Sequence, residues 1–175
     1  LVSVVVPCYN HEKYVKETIE GIVNQTYENI ELIVIDDGST DNSVQVIQEL
    51  ANKYKFVFIH RANKGLSATL NEGIILSKGK YFCACASDDV YVLDKIESQV
   101  DFMQSNIEYG MCYGNTIQFD NHNNIKKKKV KNPKSGFIFN DLIFRCFVTA
   151  PTAFIRSEVL NDLGGFDNDS WMEDW

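Results

Sequence analysis

An α/β fold on a largely parallel sheet is predicted by two features of this chain. Apolar runs of strand length alternate with segments of helical period through the first hundred residues. Acidic and turn residues gather just after those runs, where an open α/β sheet places its ligand-binding loops.

The elements follow in order. "VSVVVP" at 2–7 is a short β-branched run that Pro7 ends. Residues 11–25 then put Tyr14, Val15, Thr18, Ile19, Ile22 and Val23 on one helical face. "IELIVID" at 30–36 is a buried strand. Ser39, Thr40 and Asp41 are candidate N-caps for a helix that turns Val44, Ile47, Leu50 and Tyr54 inward. "FVFIH" at 56–60 is a third strand, and 66–77 a third helix with Leu70 and Ile74 one turn apart. "KYFCACA" at 80–86 runs into Ser87-Asp88-Asp89. Asp94 and Glu97 have capping-box spacing ahead of a helix with Ile96, Val100 and Met103 inward.

The second half is less regular. Residues 109–119 read as one strand or two pieces, and 120–134, rich in Asn and Lys without an apolar period, as a loop. Residues 137–145 suit a short helix and 149–156 an extended segment. Ser157 is placed to cap a helix that Gly164-Gly165 ends. The chain opens on a strand and stops at Glu173-Asp174-Trp175 without a turn or tail, which reads as one domain, residues 1–175, cut from a longer protein.

Composition narrows the class. At 175 residues, 45% hydrophobic and 23% charged, the chain is globular and long enough for a substantial core. A formal charge of −7 argues against general nucleic-acid binding, which needs a basic footprint. Lys126, Lys127, Lys128, Lys129, Lys131 and Lys134 hold six of the 17 basic residues; without them 11 basic face 24 acidic residues, a balance of −13. That run reads as a solvated loop in preference to an anionic-lipid contact. Five cysteines cannot all pair within the chain, and Cys83 and Cys85 match no zinc spacing, so they read as reduced thiols of a cytoplasmic protein.

The chemistry gathers at the strand ends: Pro7-Cys8-Tyr9-Asn10, Asp36-Asp37-Gly38-Ser39, Asn63-Lys64-Gly65 and Ser87-Asp88-Asp89. Four such ends are more than a stable fold requires. Neither a G-x-G-x-x-G nor a Walker sequence is present, so no glycine cradle holds phosphate. A divalent cation, which takes hard carboxylate oxygens and neutralises a diphosphate, is the alternative, and Asp88-Asp89 suits it. A receiver domain also carries an Asp pair, but after its first strand, where this chain has Pro-Cys-Tyr-Asn. His11 reads as a surface residue; His60 and Arg61 close the third strand within reach of a diphosphate or of solvent.

Six segments in this order, "VSVVVPCYN", "QTYENIELIVIDDGSTDNS", "NKGLSATLNEGI", "KGKYFCACASDD", "LGGFDND" and the final "ED", resemble the family 2 glycosyltransferases over nearly the whole chain. The resemblance implies a GT-A fold, a Rossmann-like three-layer α/β/α sandwich, and inverting transfer of a sugar from a nucleoside diphosphate, UDP favoured. Pro7, Tyr9 and Asn10 would border the nucleotide, Asp37 would hydrogen-bond the base, and Asp36 would support the loop. Asp88 would face the ribose or a metal-bound water, Asp89 would bind Mg²⁺ or Mn²⁺, and Asp174 would be the catalytic base with Glu173 beside it. The implied acceptor is a glycan or a lipid-linked glycan of bacterial surface polysaccharide synthesis, with peripheral contact at the cytoplasmic face of the membrane. Two departures stand out: Leu70 precedes Asn71 where the family often has arginine, and Ser87 stands where many members have aspartate. Trp171 and Trp175 flank the "ED" pair, where a sugar would stack or the rings pack on the core.

Overall fold

The computed structural model describes residues 1–119, the strand path of 125–128, and residues 133–168. In chain order these form β1 (Val2–Cys8), α1 (Val15–Val23), β2 (Ile30–Asp36), α2 (Ser43–Tyr54), β3 (Val57–His60), α3 (Leu66–Leu76), β4 (Tyr81–Ala84) and α4 (Lys95–Ser105). There follow β5 (Met111–Cys112), β6 (Thr116–Phe119), β7 (Ile125–Lys128), α5 (Phe139–Phe144), β8 (Phe154–Arg156) and α6 (Ser157–Leu163).

The main sheet has six strands in the order β3-β2-β1-β4-β8-β5. Its first four strands are parallel, because each helix carries the chain back across the sheet before the next strand begins. β8 then enters antiparallel beside β4, and β5 pairs antiparallel with β8. Central strands covered on both faces need apolar residues at every position, and β1 is buried throughout except for half-buried Pro7. Val2, Val4 and Val6 face Ile19 and Ile22 of α1, Ile47 of α2 and Ile96 and Val100 of α4. Val5, Ile33, Ile35 and Phe82 turn the other way, onto Leu70 of α3 and Leu160 of α6. The result is three layers, α/β/α. Each fully buried Val or Ile of the sheet contributes about 1.5–3 kcal/mol relative to exposure. α3 lies tight on the sheet because Gly73 has no side chain; a Cβ there would stand 2.5 Å from Cγ1 of Val5.

β2 covers residues 30–36 as expected, and 109–119 divides into two strand pieces. Gly164, at φ 81°, ends α6 in the left-handed conformation. Two local expectations fail because a tertiary partner wins, and a third because its sequence carries no strand pattern. The capping box at α4 does not form: Glu97 accepts from the Thr26 hydroxyl at 2.7 Å. Ser157 does not cap α6; its hydroxyl donates to the carbonyl of Gly79 at 2.6 Å. Part of the lysine stretch is not loop but β7, paired antiparallel with β6 from Thr116↔Lys128 to Phe119↔Ile125. Consecutive lysines show no alternation, and the pairing is carried by the backbone ladder. Residues 149–156 are extended only after one 3₁₀ turn at Ala150–Thr152.

The guanidinium of buried Arg156 ties β8 to the end of α4, donating to the carbonyls of Tyr109 and Met103 at 2.8 Å each. Cys8, Cys83 and Cys85 are buried thiols, and burial pushes all three up in pKa, away from the reactive thiolate. Among the described residues no helix is long and apolar enough to cross a membrane.

Candidate functional site

The loops at the carboxyl edge of the sheet are lashed together. Asn10 takes φ 56°, a left-handed conformation that Asn tolerates, and its side-chain carbonyl accepts the Thr40 amide at 2.8 Å. In return the Asn10 amide donates to Ser39 Oγ at 2.8 Å, and the His11 amide to Ser43 Oγ at 3.0 Å. Glu12 accepts from the backbone and side chain of Asn42 at 2.9 and 2.7 Å. Asp41, in the predicted capping stretch, accepts the Ser43 amide at 2.9 Å, so the start of α2 is capped from one residue before its N-cap. The fourth loop joins through Ser87, whose hydroxyl lies 2.7 Å from His11 Nδ1 and whose carbonyl accepts from Thr18 Oγ1 at 2.9 Å. His11 is therefore a bridge between loops and not the surface residue expected of it. No sequence signal announces a bond across 76 positions.

Asp36 and Asp37 are adjacent and do different work. Asp36 is fully enclosed; its carboxylate accepts Ser39 Oγ at 2.6 Å, the Ser39 amide at 3.0 Å and His60 Nδ1 at 2.9 Å. Gly38 turns the chain between them and Ser39 at φ 79°. Asp37, 5% exposed, accepts from Arg61 Nη1, from the Lys64 amide at 2.8 Å and from the Gly65 amide at 3.0 Å. Arg61 also donates to Glu72 at 2.7 Å and to Thr69 Oγ1 at 2.8 Å. Burial works against the Arg61 charge, but its hydrogen bonds to Glu72 and Asp37 outweigh it and hold the guanidinium firmly protonated. His60 and Arg61 thus serve the two carboxylates, where their sequence position left a diphosphate or solvent as partners.

Asp88 and Asp89 follow β4 in a turn closed by the Asp89 amide on the Ala86 carbonyl at 3.0 Å. Asp88 is exposed and Asp89 half-buried. Burial first, and then the negative charge of Asp88, push the Asp89 carboxyl above its ordinary value. Among the described residues no group of three or more His, Cys, Asp or Glu side chains is close enough to cage a metal. Mg²⁺ and Mn²⁺ bound with a nucleotide need only one or two carboxylates, the rest of the shell being phosphate oxygen and water. A half-buried carboxylate beside a like charge fits such an ion.

A cleft of about 370 Å³ adjoins these loops, walled by Pro7, Leu66, Leu70, Ala86, Val148 and Phe166 among others. It is apolar, and none of Asp36, Asp37, Asp88 or Asp89 lines it. Leu70 gives it an aliphatic wall where the family often carries arginine. Tyr9, half-exposed, stands at the same edge of the sheet. Glu173, Asp174, Trp171 and Trp175 lie outside the described residues, as do Lys129 and Lys131.

The three-layer sheet and its acidic carboxyl edge define a GT-A transferase fold. Residues 3–164 match the family model "Glycosyl transferase family 2", and the chain belongs to that family. It is 40% identical over 122 residues to the glycosyltransferase GlyG of Streptococcus pneumoniae, covering 69% of this chain and 40% of that one. An uncharacterized glycosyltransferase of Haemophilus influenzae is 42% identical over 117 residues, 66% of this chain and 46% of its own length. Among solved structures, TarS 1–349 of S. aureus in complex with UDP superposes with a TM-score of 0.80 at 23% identity, over 99% of this chain and 52% of that one. The mannosyltransferase PcManGT of Pyrobaculum calidifontis, in complex with GDP-Man and Mn²⁺, superposes with a TM-score of 0.74 at 19% identity, over 99% of this chain and 49% of that one. The chain spans less than half the length of these curated relatives.

Proposed function

We propose that this chain is the nucleotide-sugar-binding domain of an inverting glycosyltransferase, which moves a sugar from a nucleoside diphosphate, UDP favoured, to an acceptor hydroxyl. The observation that carries the reading is the joining of the four strand-end loops through Asn10, His11, Asp37 and Ser87, with Asp88-Asp89 directly following Ser87. Neighbours of the same fold bind UDP and, with Mn²⁺, GDP-Man, which supports a nucleotide sugar as ligand.

In this reading Pro7, Tyr9 and Asn10 border the nucleotide, Asp37 accepts a hydrogen bond from the base, and enclosed Asp36 fixes the loop. Asp89, with Asp88 on the ribose side, would hold Mg²⁺ or Mn²⁺. When bound, that cation offsets the charge that develops on the departing diphosphate. Asp174, with Glu173 beside it, takes the proton from the acceptor hydroxyl. The acceptor oxygen then bonds to the anomeric carbon as the bond to the diphosphate breaks on the opposite face, so configuration inverts. Binding of UDP or GDP to the full-length protein in the presence of Mn²⁺, followed by calorimetry, tests the reading; no heat of binding for either nucleotide would sink it. Asp174→Asn is expected to preserve that binding and lower transfer by about 10²–10⁴-fold, the range that a general base supplies. Turnover at the parent rate would remove Asp174 from the role.

The acceptor is read as a glycan or lipid-linked glycan of bacterial surface polysaccharide, a choice the bacterial relatives support. Peripheral contact with the cytoplasmic face of the membrane goes with it. Phe137, Phe139 and Phe144 are exposed just beyond the lysine run, and aromatic side chains beside lysines suit an anionic interface. Flotation with vesicles containing phosphatidylglycerol should recover the full-length protein at low salt, and Phe137→Ser with Phe144→Ser should reduce recovery severalfold. Equal recovery by neutral vesicles would count against the contact.

A further inference from the structure

Asp37 offers a nucleotide very little. A carboxylate has about four acceptor positions. Arg61 Nη1 and the Lys64 amide occupy both on Oδ1, and the Gly65 amide occupies one on Oδ2. One acceptor position of Oδ2 is left, on a side chain that is 7% exposed. The guanidinium that fixes this orientation is itself fixed. Its Nε goes to Glu72, its Nη2 to the buried Thr69 hydroxyl, and Nη1 also reaches the Ala62 carbonyl at 3.0 Å. Thr69 in turn donates to the Gly65 carbonyl at 2.8 Å, closing the ring onto the loop whose amides hold Asp37.

We infer that Arg61 is a positioning residue for base selection: it holds Asp37 as an acceptor with one open site, which admits bases carrying a ring N–H and rejects those with a bare ring nitrogen there. The inference rests on the nucleotide-sugar reading above and deepens it. Uracil, thymine and guanine carry that N–H; cytosine and adenine oppose a lone pair to a lone pair. An acceptor aimed by a guanidinium that is itself held by Glu72, Thr69 and Ala62 cannot turn to avoid the mismatch. Arg61 acts through Asp37, and α3, which follows it, carries no arginine.

The test is the ratio of affinities within each ring size, UDP over CDP and GDP over ADP, measured by calorimetry on the full-length protein with Mn²⁺. Wild-type protein is expected to favour the N–H base by about tenfold to a hundredfold, the effect of one mismatched buried hydrogen bond. Arg61→Met frees Asp37 to rotate, so both ratios should fall toward parity, with KM for the sugar nucleotide rising and kcat little changed. Arg61→Lys restores charge without the fork and should recover only part of the selectivity. If Arg61→Met does not fold, Glu72→Gln, which loosens the same guanidinium from its far side, must lower the ratios in the same sense. Equal binding of UDP and CDP by the wild type overturns the inference and leaves the nucleotide-sugar reading intact. Unchanged ratios in a folded Arg61→Met protein overturn it too. Absence of binding by every nucleotide sinks the reading beneath it.

Discussion

Asp89→Ala is expected to abolish cation-dependent binding of UDP by the full-length protein, weakening it by about a hundredfold or more as a direct carboxylate ligand is lost. Binding measured in EDTA should be weak in both proteins and equal, so the difference between them is the contribution of the ion. The environment of Asp89 sharpens the expectation. Burial and the neighbouring charge of Asp88 raise its carboxyl pKa, so protons compete with the cation sooner than at an ordinary aspartate. Affinity for Mn²⁺ should begin to fall at a higher pH than a free carboxylate would predict. The sign for stability follows from the same shift. A folded-state pKa raised above the unfolded value penalises the ionised form, so metal-free protein is less stable above that pKa and regains the difference as Asp89 protonates. Asp89→Asn, which removes the charge, is therefore expected to raise the melting temperature of metal-free protein at pH 7 by about 1–3 °C. The gain should vanish toward acid pH. A mutant that bound UDP with Mn²⁺ as tightly as wild type would take Asp89 out of the metal site.

Gly38→Ala is expected to cost about 2–3 kcal/mol, or roughly 5–10 °C in melting temperature. Two costs combine. The backbone is at φ 79°, where a Cβ is strained, and that Cβ would stand 2.7 Å from the amide nitrogen of Asn63. Backbone cannot swing aside as a flexible side chain does. Separation of the two loops would also pull the Lys64 and Gly65 amides off Asp37. Nucleotide binding should consequently fall by more than the stability loss accounts for, which a titration well below the melting temperature will reveal. An alanine variant with wild-type melting and affinity would show that the two loops do not need this approach.

The regular half of the fold was readable because its signals are local. The strand Ile30–Asp36 carries a continuous apolar run at 32–35, and Ile96, Val100 and Met103 repeat at helical spacing. Strand-end positions for the acidic residues followed from that alternation alone. The unread features depend on partners distant in sequence. Glu97 has the right spacing to cap α4, but Thr26 offers it a hydroxyl 71 positions away. For Arg61 the sequence leaves diphosphate and solvent equally open, because nothing near it in sequence reveals that Asp37 and Glu72 converge on it. β7 was missed for a different reason: four lysines in a row give no period-2 pattern to detect. The roles of Asp174 and Glu173 rest on the family's order of motifs alone, since the described residues stop at 168.

The place of β8 in the sheet has a consequence for the order in which the protein is made. β8 separates β4 from β5, and its pairing is the bridge by which β5 joins the sheet. Met111 and Cys112 therefore emerge from the ribosome with no strand to pair with until Phe154–Arg156 follow some forty residues later. The parallel strands β1 to β4 and their helices need nothing from that region to pair. A nascent chain should hold a protected four-stranded core first, and the edge that carries β5 should close only once Arg156 reaches the carbonyls of Tyr109 and Met103.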